Sequence, residues 1–429
     1  MLAACVRMMK GCLLLGLIAS RLAQAQDAQL VLDPADGPFD GFASFGTAVA
    51  ISGKMAIVGA PGFAPPDTSG DPQPQIPYQG VVNVYNTDSE RTAWTLTSVL
   101  HAEDDDPPDQ GFGSGVALQG RRLIVASVAA LRIYERTPRG FEETDKLDLS
   151  PGESIPLFVG TQLLFQNGVL AFKVSQQGAG PAVLLYKVDD RGQARRIAKL
   201  LPPNDAQNAG FTGGLALNRA ADSLAIGGPS PDTQTPGNVY FYEPRGGTWK
   251  LTETLAPPGP AALGFGAGIA LRGKKLIVGA PNEDTAVDIN ANEVLHAGAA
   301  YVYRREGNRW TQMQKLATDD PTQPIAGLAG FGSNIVTNGR FAWITAPIDP
   351  CLHSTCIPGG DSALYQWQNG QLAFVAKPAG GFTAGGGLDI SRRYVIVGTD
   401  DPIFGEHANI LDLTAFAPDA TTEEAAAED

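Results

Sequence analysis

Cysteines, histidines and clustered carboxylates are the side chains that could hold a metal or run catalysis, and their spacing in this 429-residue chain narrows the chemistry. Cys5 and Cys12 lie at the amino terminus, while Cys351 and Cys356 stand together in CLHSTC. A disulfide between Cys351 and Cys356 is expected in an oxidising compartment; closing so short a loop would shape it while adding little global stability. The competing reading is a zinc site with His353 between the thiols, although three ligands crowded into six residues is not a finger spacing. His101, His296, His353 and His407 are isolated in or beside expected connections, without an HxH or HExxH pair, and no GxSxG elbow occurs. Glycine-rich runs such as GAGP and TAGGG lack the following helix that a phosphate loop needs. No catalytic residue, no cofactor-binding residue and no metal-ligand set is therefore nominated.

Two oxygen-rich stretches come nearest to a cation site. Asp104-Asp105-Asp106 runs into Pro107-Pro108, which reads as a solvated turn. Asp284 to Glu293 reads DTAVDINANE and sets Asp288, Asn290 and Asn292 at alternate positions, without the glycine that turns a calcium loop.

The compartment follows from the first residues. Arg7 and Lys10 precede an apolar run from Cys12 to Ala19, and Ala23-Gln24-Ala25 supplies small residues for a signal peptidase. Residues 1–25 are thus expected to be a cleavable signal peptide, and the mature chain to be secreted or periplasmic. No later run approaches the roughly 20 apolar residues of a membrane helix, so no membrane insertion is expected. The full chain has 45 acidic against 31 basic residues. That surplus argues against nucleic acid and anionic membrane surfaces, and its plainest consequence is solubility.

Whatever these residues do, a repeat must position them. Phe45 to Pro61 reads FGTAVAISGKMAIVGAP, and Phe265 to Pro281 reads FGAGIALRGKKLIVGAP. Related copies begin at Phe112, Phe158, Phe211, Phe331 and Phe382, making seven. Each holds an alternating strand, a tight turn and a continuous apolar strand, which reads as a β-hairpin. A third strand tends to end in tyrosine (Tyr85, Tyr134, Tyr186, Tyr242, Tyr303), and a fourth runs from an aromatic to leucine, as in Trp94 to Leu100. Seven units of four short strands predict an all-β fold, a seven-bladed β-propeller of four-stranded antiparallel blades. Copy seven supplies only three strands before the tail, and Gln29 to Asp33 resembles a fourth strand, so the N-terminal strand is expected to close the last blade. The propeller is expected to span residues 26–414, leaving 415–429 as an acidic, weakly ordered tail.

Phe-Gly, an alternating strand and Gly-Ala-Pro together resemble the FG-GAP repeat of integrin α-subunit propellers and their bacterial relatives. The resemblance covers nearly the whole mature chain; it is strong in copies one and five and weak in three and seven. It implies a seven-bladed propeller used for binding proteins or cell surfaces. In many relatives the turn between the first two strands is a calcium loop. Here it is SGK (Ser52 to Lys54), QGRR (Gln119 to Arg122) or RGKK (Arg272 to Lys275), too short and basic to wrap calcium, so calcium is not supported as a cofactor.

Loop length separates the copies further. Connections between second and third strands are long at Gly62 to Gln79, Asn282 to Ala297 and Ile348 to Gly360, and nearly absent at Val128 to Ala130. In a meander they share a face with the links between blades, such as Glu103 to Gly111 and Asp319 to Gly330. Rigid scaffolds carry binding on such loops. The expected role is a binding, adhesion or scaffold module for a protein or glycan partner on the long-loop face. The alternative is a propeller hydrolase or lyase with its site at the central channel.

Overall fold

Blade strands of three to ten residues, bounded by glycine turns and carrying apolar side chains on both faces, must be covered on both sides. Stacking blades around a ring does this. The computed structural model describes residues 29–32, 44–63, 79–102, 110–155, 161–203, 210–230, 235–283, 286–287, 294–295, 298–307, 309–317, 330–346, 361–377, 386–401 and 405–416. It is a seven-bladed all-β propeller of small antiparallel sheets. Blade 1 comprises Ala48–Ser52, Met55–Ala60, Val81–Thr87 and Trp94–His101, paired in chain order from the axis outwards. The remaining blades begin with Gly115–Gln119, Leu164–Gln166, Leu215–Leu217, Ile269–Arg272, Ile335–Thr337 and Leu388–Ile390.

Two departures from simple repetition matter. Blade 7 takes its outermost strand from the amino terminus: Gln29–Leu32 pairs antiparallel with Gly405–Asp412, with Gln29 opposite Leu411 and Leu32 opposite Ala408. This pairing is the expected closure. Blade 3 carries a fifth short strand, Glu153–Ser154, paired with Val169–Gln176. At the other terminus, Leu413–Phe416 forms a single helical turn that buries Leu413 and Phe416. Ala415 and Phe416, assigned to the tail by composition, pack on the apolar cluster between blades 6 and 7.

The core is distributed. Seven apolar clusters occur among the described residues, one at each seam between neighbouring blades. Alternate residues along a strand face opposite seams, so each blade feeds two clusters. The repeat phenylalanines Phe45, Phe112, Phe211, Phe265 and Phe331 are fully buried. Phe112, Phe211, Phe265 and Phe331 pack edge-on against third-strand tyrosines, as Phe265 does on Tyr303 (6.4 Å) and Phe112 on Tyr134 (6.4 Å).

The glycines of the repeat lock one blade to the next. Gly332, after Phe331, has φ of 100°, and its carbonyl points at Gly279, the glycine of the preceding blade's Gly-Ala-Pro. A Cβ on Gly279 would overlap that carbonyl oxygen. Gly59 meets Gly113, Gly227 meets Gly266 and Gly398 meets Gly46 in the same way. The last pair crosses the closing seam. Where the first glycine is replaced, so is its partner in the next copy: Lys173 faces Thr212, while Ala126 precedes Val159 and Thr345 precedes Thr383 at the corresponding sequence positions. Val159 and Thr383 lie outside the described residues. Four seams show this contact among the described residues, so the repeat encodes contacts between blades as well as the shape of one.

Candidate functional site

At the hairpin-turn end of the ring, the turns are as short as the sequence requires. Ser52 pairs with Met55 and Gln119 with Arg122, and Gly53 (φ 63°) and Gly120 (φ 63°) supply the positive φ of a two-residue connection. The opposite end holds the phenylalanine-glycine corners and the long connections. There the Phe112 amide donates to the Gln79 carbonyl at 2.9 Å, tying a blade link to a second-to-third-strand connection.

Several sequence-nominated residues fall outside the described residues: Cys351, His353, Cys356, Asp104 to Asp106, Asp288, Asn290, Asn292 and His296. Their chemistry rests on the sequence. His101 ends the outer strand of blade 1, exposed, and His407 lies within Gly405–Asp412, near that strand's start. Among the described residues no group of three or more His, Cys, Asp or Glu side chains could hold a metal ion.

The loop end has an anchored base in blade 5. Glu283 follows Gly-Ala-Pro-Asn and is buried at 2 % exposure. The Tyr301 hydroxyl donates to its carboxylate at 2.6 Å, and the Lys315 ammonium lies 2.8 Å away. Burial, followed by the neighbouring carboxylate, raises the Tyr301 hydroxyl far above its ordinary pKa, so it stays a donor. Beyond Glu283 the connection forms a small ribbon in which Ala286 pairs with Leu295 and Val287 with Val294, and the Gly298 amide returns to the Glu283 carbonyl at 3.1 Å. The loop therefore leaves and re-enters the blade at one fixed point.

Two titratable groups line the ring and escaped the sequence reading. Lys173 occupies the Gly-Ala-Pro glycine position of blade 3. Its ammonium donates to the carbonyls of Gly213 (2.6 Å) and Thr212 (3.4 Å) in blade 4. Burial lowers its pKa to about 8. Asp389, on the innermost strand of blade 7, accepts the Ile51 amide of blade 1 at 2.8 Å and the Ile390 amide at 2.8 Å. Burial pushes its carboxyl up to about 6, against the pull of those two amides. The signal for Lys173 was its departure from the repeat; Asp389 had none, because its partner lies 338 residues away. The two groups belong to seams on opposite sides of the ring, so they do not form an acid–base pair.

The structure defines the class as a seven-bladed β-propeller. No family model and no curated protein matches the sequence. Solved structures with a similar fold include a functionally unknown protein from Desulfotomaculum acetoxidans, at 11% identity and a TM-score of 0.48, covering 85% of this chain and 95% of that one. A protein from Lactobacillus plantarum aligns at 13% identity and TM-score 0.45, over 81% and 86% of the two chains. Saccharomyces cerevisiae Sqt1 aligns at 8% and 0.44, over 88% and 98%. At such identities the likeness concerns architecture alone, and no role is carried over from it.

Proposed function

We propose that this chain is an exported propeller of the FG-GAP type that binds a protein or glycan partner through its long-loop face. The observation supporting this reading is the rigid base under those loops. Four seams at that end close by glycine-to-carbonyl contact, and Glu283 pins one long connection at both ends. A stiff platform lets loop residues spend less binding energy on ordering themselves. In this reading residues 1–25 direct export, and the Cys351–Cys356 disulfide shapes the loop of blade 6. The alternative, a hydrolase or lyase at the central channel, needs a nucleophile or base there. Of the two titratable groups that line the ring, Lys173 is held by the carbonyls of blade 4 and Asp389 by the amides of Ile51 and Ile390.

The test uses the chain from Gln26 on protein and glycan arrays, beside a variant shortened only within 64–78, 284–297 and 348–360, so that Phe63, Gln79 and Glu283 keep their contacts. A defined partner should bind the first and be lost from the second, with melting unchanged. Binding that survives the shortened loops would sink the proposal. Mass spectrometry of the exported protein should show cleavage after Ala25 and paired thiols.

A further inference from the structure

The QGRR turn of blade 2 is basic and has no part in the loop-face reading. It borders an open depression of about 560 Å³ at the hairpin-turn end of the seam between blades 2 and 3. We propose that this depression binds a small zwitterion of amino-acid or dipeptide size.

The depression is bordered by a position whose size differs between blades. In blade 6, Trp367 follows Gln366, the residue paired with Phe341, and its amide bonds the Arg340 carbonyl. The Lys275 ammonium of blade 5 lies 4.9 Å from the Trp367 ring centroid and donates to the Gly339 carbonyl at 3.1 Å. In blade 3 the same register position is Val188, whose amide bonds the Gly168 carbonyl, and the residue facing it from blade 2 is Arg122. An indole stands at this position in one case and a valine in the other.

The two walls carry opposite charge. Blade 2 contributes Arg121, Arg122 and Glu135, a net single positive charge; blade 3 contributes Lys187, Asp189 and Asp190, a net single negative charge. Arg122 Nη2 lies 3.3 Å from the Glu135 carboxylate and donates to the Asp190 carbonyl at 3.2 Å. Its Nε–H is buried without a hydrogen-bond partner. The Arg122 side chain as a whole keeps 16 % of its surface exposed to the depression, and a carboxylate is the strongest acceptor for its guanidinium. On the other wall, Asp189 is spent on the amides of Arg191 and Gln193, both at 2.9 Å. Asp190 is exposed and offers its carboxylate to an ammonium. Phe165 and Val188 supply an apolar floor for the remainder of the ligand.

Calorimetry on the chain from Gln26 with L-alanine, L-leucine and L-alanyl-L-alanine tests this, with acetate, methylamine and glucose as comparisons. The zwitterions should bind and the single-charge fragments and the sugar should not. Val188→Trp, which puts an indole where blade 6 has one, should weaken binding at least tenfold. Asp190→Asn should do likewise while keeping its backbone bond to Arg122, and it carries the test if the tryptophan variant does not fold. Shortening the long loops should leave this binding intact, which separates it from the loop-face proposal. Absence of zwitterion binding, a preference for glucose, or undiminished binding to folded Val188→Trp would each overturn the assignment.

Discussion

Replacing Gly279 by alanine isolates the contact that joins one blade to the next. The added methyl would overlap the carbonyl oxygen, carbonyl carbon and Cα of Gly332. All three are backbone atoms, so no side chain can swing aside and the seam between blades 5 and 6 must part. Overpacking costs about 1–3 kcal/mol where side chains can adjust, and a backbone obstacle places this variant near the top, at about 3 kcal/mol. With an unfolding entropy of about 2.1 cal/mol/K per residue over roughly 390 ring residues, that loss lowers the melting temperature by about 4 °C. Gly53→Ala is the control: Gly53 has φ of 63° and open space around its Cβ direction, so only conformational strain is added, about 1 kcal/mol. Differential scanning calorimetry of the two variants beside the parent gives the measurement. If Gly279→Ala melts no lower than Gly53→Ala, the interlocking role of the glycine pair is wrong.

Two pH-dependent outcomes follow from the titratable groups of the ring. Lys173 has a folded pKa near 8 against 10.5 for the free side chain, so the unfolded chain binds more protons between those values and stability rises with pH across that window. Below pH 8 the buried charge costs about 3 kcal/mol; Lys173→Met should gain most over the parent at pH 7 and progressively less toward pH 10.5 in urea unfolding, whereas a constant difference would contradict the assignment. Asp389 behaves oppositely in pH: its folded pKa near 6 exceeds 3.8, so its contribution is fully present below pH 3.8 and is lost as pH rises through 6. The stability difference between the parent and Asp389→Asn should fall by about 2 kcal/mol from pH 4 to pH 7, and parallel pH profiles would remove Asp389 from the closing seam.

The architecture was legible because it is written in local words. Phe-Gly, the alternating strand, the glycine turn and Gly-Ala-Pro each act over a few residues, and seven recurrences specify seven blades. Gln29–Leu32 could be matched to a missing fourth strand for the same reason, since the strand pattern is periodic and its absence from copy seven is visible. What the linear chain could not reveal was which residues of different copies touch. Gly279 reads as a strand-end glycine until the ring sets Gly332 against it; Lys173 reads as a blemish in a weak copy until the Gly213 carbonyl stands beside it. Glu283 looked like one acid among many before burial joined it to Tyr301 and Lys315. The difference between Val188 and Trp367 became meaningful only when strand register placed them at equivalent seams. Local patterning determines strands and turns because those form between neighbours in the chain, whereas the seams, the shifted acid and amine and the open depression arise where separate copies meet in space.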